Sequence, residues 1–322
     1  MSKVNGWYWR SLLLFTSGAI WLKIWRTRRM GSGARVTFGL PGEQQDFATR
    51  HAQFLEILPT LTRRIDEVLA LREFTPDPKR EGESEGEWQN RVVAQRLVFF
   101  LGRLAAEDFM EILLLCANGY GMAGLRLLRS MFEGVVTGLY VAKHPDQASA
   151  FMGYHTVHQR RFLKAAEAAR IDLSGIFPLE EQARIEEQYL GLRDSYRQMK
   201  CPECEAVLAD ISWTKMDPIA MAHELGLQEL AVQCYSYTTL HIHTTPTRLL
   251  SRLEDTAEAL RFKNGPQRAE ADAAMVGAHC CLAQVLNAQN VYFDLGINEF
   301  EAELAAGIER AWGPDPGWTR VP

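Results

Sequence analysis

The sequence predicts an all-α protein, a multi-helix bundle built around a central antiparallel helical hairpin. Three observations carry this. From Met122 to Lys143 the apolar residues Leu125, Leu128, Met131, Phe132, Val135, Val136 and Leu139 recur at helical spacing. Glu87–Ala117 reads as a second long helix, amphipathic at first and nearly all apolar over Met110–Cys116. The breaker Asn118-Gly-Tyr-Gly121 joins it to the first. No stretch alternates convincingly enough to read as a strand.

The composition sets bounds. With 322 residues the chain can bury a large core, and 47% hydrophobic with 23% charged residues is ordinary for a soluble globular protein. A net charge of −5 gives no general pull toward nucleic acid, so such a partner would need a local basic patch. Cys116, Cys201, Cys204, Cys234, Cys280 and Cys281 do not form a secreted disulfide framework in a chain this long. They read as reduced thiols of a cytoplasmic protein.

Residues 1–42 stand apart as an apolar segment and linker. Trp7–Trp25 is apolar and aromatic but holds Arg10 and Lys23. Its uninterrupted core is short of the ~20 residues a comfortable membrane span needs. Membrane contact through 7–25, by snorkelling of Arg10 and Lys23, competes with a reading in which Met30 is the true start. On the second reading, a chain lacking residues 1–29 folds and stays soluble.

Residues 43–312 read as one all-α domain. Glu43–Leu71 is a helix kinked at Pro59, which lacks a backbone donor. A charged loop, Phe74–Gly86, leads to the hairpin. Asp146–Arg170 follows as a helix, then Leu179–Met199 as a highly charged surface helix. Pro218–Gly226 is a short helix and Leu227–His243 a longer one. Thr247–Leu260, Arg268–Phe293 and Phe300–Trp312 complete the set, with Phe262–Gln267 a loop and 313–322 a loose tail. Small residues at Ala123, Gly124, Gly134 and Gly138 predict close approach of a neighbour to the central helix.

Arg129 and Glu133 lie four apart on that helix and so share a face. On so apolar a helix the pair reads as a buried polar insert. Arg129-Ser-Met-Phe-Glu133, then Leu139-Tyr140, then Phe151 and Tyr154, resemble an uncharacterised bacterial all-α family of unknown function. In it an R-x-x-x-E helix is followed by an aromatic helix, a Trp, and a Y-x-x-x-S/T-x-x-x-H helix. Trp213 and the Tyr235, Thr239, His243 series fit the later elements, within a resemblance over Val93–Leu253. The chain departs in carrying Thr239 where serine is commoner, and an added His241. The resemblance implies a fold and a polar cluster rather than a reaction. Such domains look distantly like HEPN helical bundles, a fold-level analogy. HEPN ribonucleases resemble one another in an arginine a few residues before a histidine, over a narrow range of spacings, and no histidine here has an arginine within that range.

The candidate site is therefore Arg129, Glu133 and His243 as catalytic or binding groups, with Tyr140, Tyr154, His158, Trp213, Tyr235 and Thr239 around them. Arginine would hold a phosphate or carboxylate, and histidine would act as acid, base or donor. The competing reading is a network that fixes helix register. His155 and His158 facing His241 and His243 would suit zinc, but histidines two apart diverge on a helix. Cys201-Pro-Glu-Cys204 is half a zinc knuckle without its second half. No metal and no cofactor is expected. Gly119-Tyr-Gly-Met-Ala-Gly124 matches a dinucleotide fingerprint by letter but lacks the strand before it. Gly82-Glu-Ser-Glu-Gly86 lies in a charged loop, not a nucleophile elbow. The leading reading is a binding or regulatory module, self-associating through its hairpin and serving stress or phage defence. The alternative is an enzyme acting on RNA or a phosphate ester through Arg129, Glu133 and His243.

Overall fold

The computed structural model describes residues 39–69, 74–196, 212–243, 245–255, 259–297 and 299–314. The 7–25 segment, Cys201, Cys204 and the end of the tail lie outside the described residues.

The hairpin is set by its ends. α3 (Glu85–Ala117) begins at a capping box: Glu87 N donates to the Ser84 hydroxyl at 3.2 Å, and Ser84 N donates to the Glu87 carboxylate at 2.9 Å. Its far end turns at Gly119, whose φ of +85° suits glycine. α4 (Gly121–Lys143) then returns antiparallel, and α11 (Arg268–Tyr292) packs against both. Their shared core holds Phe109, Ile112, Leu125, Leu128, Phe132, Met275 and Leu282, all fully buried. Small residues permit the approach. A Cβ at Gly121 would strike the backbone of Gln267 and Ala271, and one at Gly124 would lie 2.6 Å from Cys116 Sγ. Gly134, expected to do the same, has nothing near it.

The outer elements cover this layer. α1 (Glu43–Arg50) and α2 (Ala52–Leu69) lie beside α12 (Phe300–Trp312), with Phe54 stacked on Trp312 at 5.2 Å. A 3-10 turn (Pro145–Gln147) leads into α5 (Ala148–Ala168), and α6 (Leu179–Tyr196) lies along α5. Arg160 bonds Glu186 at 3.0 Å and covers the Tyr189 ring at 3.8 Å, which is how so charged a helix docks. α7 (Pro218–Glu224) and α8 (Gln228–Ala231) precede a π-helical turn (Val232–Tyr237) and α9 (Thr238–Ile242); α10 (Pro246–Ser251) follows.

The structure corrects several expectations. The first helix breaks at His51, where the backbone leaves the helical region, and Pro59 sits inside an unbroken α2. The stretch read as helix Thr247–Leu260 is the short α10 followed by a hairpin, β1 (Leu253–Asp255) paired antiparallel with β2 (Leu260–Phe262). Two strands of three residues fall below the length at which alternation can be recognised. The nearly all-apolar second half of α3, whose composition predicts burial against the central helix, is buried on one face only: Met110 and Leu114 are exposed, in line with Phe100 and Leu104. Only the face with Phe109, Ile112 and Cys116 meets the core. Among the described residues no helix is long and apolar enough to cross a membrane.

Candidate functional site

Arg129 stands on α4 beside the π-helical turn. That turn interrupts what the sequence presents as one helix, and wide turns of this kind recur at functional sites. Two threonine hydroxyls close it by donating to carbonyls four residues back: Thr238 to Cys234 at 2.7 Å and Thr239 to Tyr235 at 2.6 Å. The Thr239 proton being spent there, its oxygen faces Arg129 as an acceptor. His243 leaves the helix in an extended conformation, with Pro246 beyond it opening α10.

Five of the predicted residues meet at this point. Arg129 Nε donates to Glu133 at 2.9 Å and Nη1 to Thr239 Oγ1 at 3.0 Å. His243 Nε2 lies 3.4 Å from the same Nη1. A guanidinium only donates, so this nitrogen bonds as the ring's lone pair and Nδ1 carries the proton. The Tyr235 ring lies under the guanidinium carbon at 4.2 Å, within cation–π range. Nη2 has no partner among the described residues. The arginine is thus held on three sides with one donor edge free.

The pair is not a buried insert. The Arg129 side chain is 19% exposed and that of Glu133 43%. The reason is in the helix itself. Arg126, Arg129, Ser130 and Glu133 recur at spacings of three and four, which makes a polar face that turns outward.

The other four predicted residues lie elsewhere. Tyr140 is about 16 Å along α4 from Arg129, at 1.5 Å per residue. It meets Trp213 edge-on at 5.8 Å, and Trp213 meets Phe151 at 5.2 Å. Burial, with Glu224 and Asp146, pushes the Tyr140 hydroxyl pKa up. Tyr154 packs edge-on against His158 at 5.0 Å and Tyr196 at 5.2 Å. The His158 pKa is lowered by burial, then by Arg161 and His155. Trp213 links these groups as a packing joint rather than a site wall. His241 and His243 diverge: His241 is buried against Tyr237 at 4.8 Å, and His243 is exposed.

A family model matches residues 96–259, just over half of the chain. The chain belongs to DUF5677. It is described as a family of unknown function. No curated protein and no solved structure matches the chain. The DUF5677 span takes in all of α4, the π-helical turn and α9, and so the whole Arg129 cluster.

Two groups escaped the sequence reading. His51 bonds Asp272 at 2.9 Å, tying α1 to α11. His279 accepts from Trp312 Nε1 at 3.0 Å. Its one signal in the sequence was a lone histidine inside the apolar run Ala274–Leu286.

Proposed function

We propose that the chain is a binding module that holds an oxyanion, a carboxylate or phosphate, on the free edge of Arg129. The observation that supports this is the convergence of Glu133, Thr239, His243 and Tyr235 on one partly exposed guanidinium. Its rotamer is fixed in advance, so little side-chain entropy is lost on binding, and the N–H groups of Nη2 are left to make charge-assisted bonds to such an anion. What favours binding over turnover is that Glu133 and Thr239 are both committed to Arg129. That leaves His243 as the one acid–base group at hand, and phosphate-ester hydrolysis asks for more than one positioned group. A cytoplasmic setting fits the thiols: Cys234 and Cys281 are free, with sulfurs 3.9 Å apart.

The test is titration of the full chain with inorganic phosphate and phenyl phosphate, followed by calorimetry. Phenyl phosphate should bind, and Arg129→Met should weaken it by about tenfold or more, the loss of one charge-assisted contact. Equal binding by wild type and Arg129→Met would end the proposal. Release of phenol by wild type but not by His243→Gln would move the reading to the enzyme class.

A further inference from the structure

Between α2 and α12 lies a cavity of about 250 Å³ that has no residue in common with the Arg129 cluster. Ile57, Thr60 and Leu61 line it from α2, Leu304 and Gly307 from α12, and His279 of α11 closes its inner end. Small side chains keep it open. A Cβ on Gly307 would meet nothing nearer than Ile57 Cδ1 at 3.7 Å. Two ion pairs brace the helices on either side, Arg310 with Glu56 at 2.9 Å and Arg64 with Glu303.

His279 is 1% exposed. The Phe54 ring meets it edge-on at 5.8 Å, and Phe109 lies tilted against it at 6.5 Å. Nδ1 accepts from Trp312, so in the neutral ring the proton sits on Nε2. Burial keeps the ring neutral, with a pKa lowered to about 4. Among the described residues, Nε2 has no hydrogen-bond partner. A polar side chain this deeply buried is nearly always satisfied in native proteins, so the unmet His279 Nε2 beside the cavity points to an acceptor that enters it.

We propose that this cavity binds a small, uncharged, largely apolar molecule bearing a carbonyl, whose oxygen accepts from His279 Nε2. Ile57, Leu61, Leu304 and Ala306 give the cavity an apolar wall, which sets the apolar body, while Glu56, Arg64, Glu303 and Arg310 line it with charge. The volume falls just under the ~300 Å³ at which ordinary ligand pockets begin, so the body is one ring or a short chain. Arg64 gives both Nη groups to Glu67 and Glu303 and its Nε is shut from solvent, so unlike Arg129 it keeps no open donor edge for a carboxylate, and Arg310 lies out in solvent with Glu56. This site is independent of the Arg129 proposal.

The experiment titrates the full chain, with nitrogen-15-labelled histidine, with acetophenone, toluene or benzoate. Acetophenone should shift the His279 ring resonances saturably at millimolar concentration. Toluene and benzoate should bind about tenfold more weakly, the worth of one hydrogen bond or one unfavourable charge. Gly307→Leu fills the cavity and should abolish the shift at an unchanged melting midpoint. No shift with acetophenone in the wild type overturns the proposal, whatever the variant does. Equal binding of toluene overturns the role of His279.

Discussion

Replacing Glu133 with alanine should cost the fold little, because the pair it breaks is half in solvent. The ion pair is an i,i+4 contact at 2.9 Å with Glu133 43% exposed. Pairs of this kind contribute ~0.3–0.5 kcal/mol. A fully buried pair would lose ~3–5 kcal/mol when one partner goes, through the charge left stranded. Arg129→Met removes more: the ion pair, the Thr239 bond at 3.0 Å and the stack on Tyr235 at 4.2 Å. The stack is worth ~0.5–1 kcal/mol at an exposed site, and methionine recovers part of it. Water can replace the arginine at Thr239, so that bond adds about 1 kcal/mol. The sum is on the order of 1–2 kcal/mol, with Arg129→Met plus Glu133→Leu close to Arg129→Met alone. Urea denaturation midpoints of the four proteins at pH 7 measure this. Loss of more than about 3 kcal/mol by Glu133→Ala would refute the reasoning, since only a desolvated, stranded arginine costs so much.

Other outcomes follow from single contacts. Ser84→Ala should lose about 1 kcal/mol in the same urea assay, because it removes the capping box of α3. Gly121→Ala should lose ~1–3 kcal/mol or more by overpacking, since its methyl meets backbone that cannot rotate away; an unchanged midpoint would show the helices free to separate. His279 should titrate near pH 4 by NMR rather than near the free value. Its folded pKa is depressed, so its contribution to stability is complete above the unfolded pKa of ~6.5 and falls as pH drops toward 4, by on the order of 3 kcal/mol; an ordinary titration near 6.5 would contradict the burial. Cys116 and Cys280, whose thiols burial pushes up to about 12, should resist iodoacetamide at pH 8 in the native chain and react once it is denatured.

How much of this was legible follows from what each signal encodes. The hairpin was legible because long apolar periodicity and a glycine-rich breaker are local properties, and α3 and α4 start and stop within two residues of the reading. The β-hairpin was not, because three-residue strands carry too little pattern. The break at His51 carries no breaker residue, whereas Pro59, which is one, stays within α2. The π-helical turn left no mark either. The two threonine hydroxyls that bond its carbonyls are no signal, since Thr49 and Thr62 make the same bond in ordinary helix. The meeting of Arg129 with Tyr235, Thr239 and His243 was foreseen through the paired motifs. The high apolar content of α4 hides the exposure of Arg129, which follows instead from the polar face that Arg126, Ser130 and Glu133 define.

The matched span gives the two proposed sites different reach. Residues 96–259 contain Arg129, Glu133, Tyr235, Thr239 and His243, and none of the residues lining the His279 cavity. The Arg129 geometry needs only α4, the π-helical turn and α9, all within the span. It can therefore be tested in any family member that carries the same five residues at the same spacing. The cavity needs α2, α11 and α12, which lie outside it. Its chemistry depends on Gly307 leaving space and on His279 keeping a donor unmet, and both residues lie beyond the matched span. α11 packs against α4 and also carries His279, so any coupling between the sites would run through that packing. Measuring phenyl phosphate affinity with and without saturating acetophenone reads such coupling directly: a factor of one means the sites act independently.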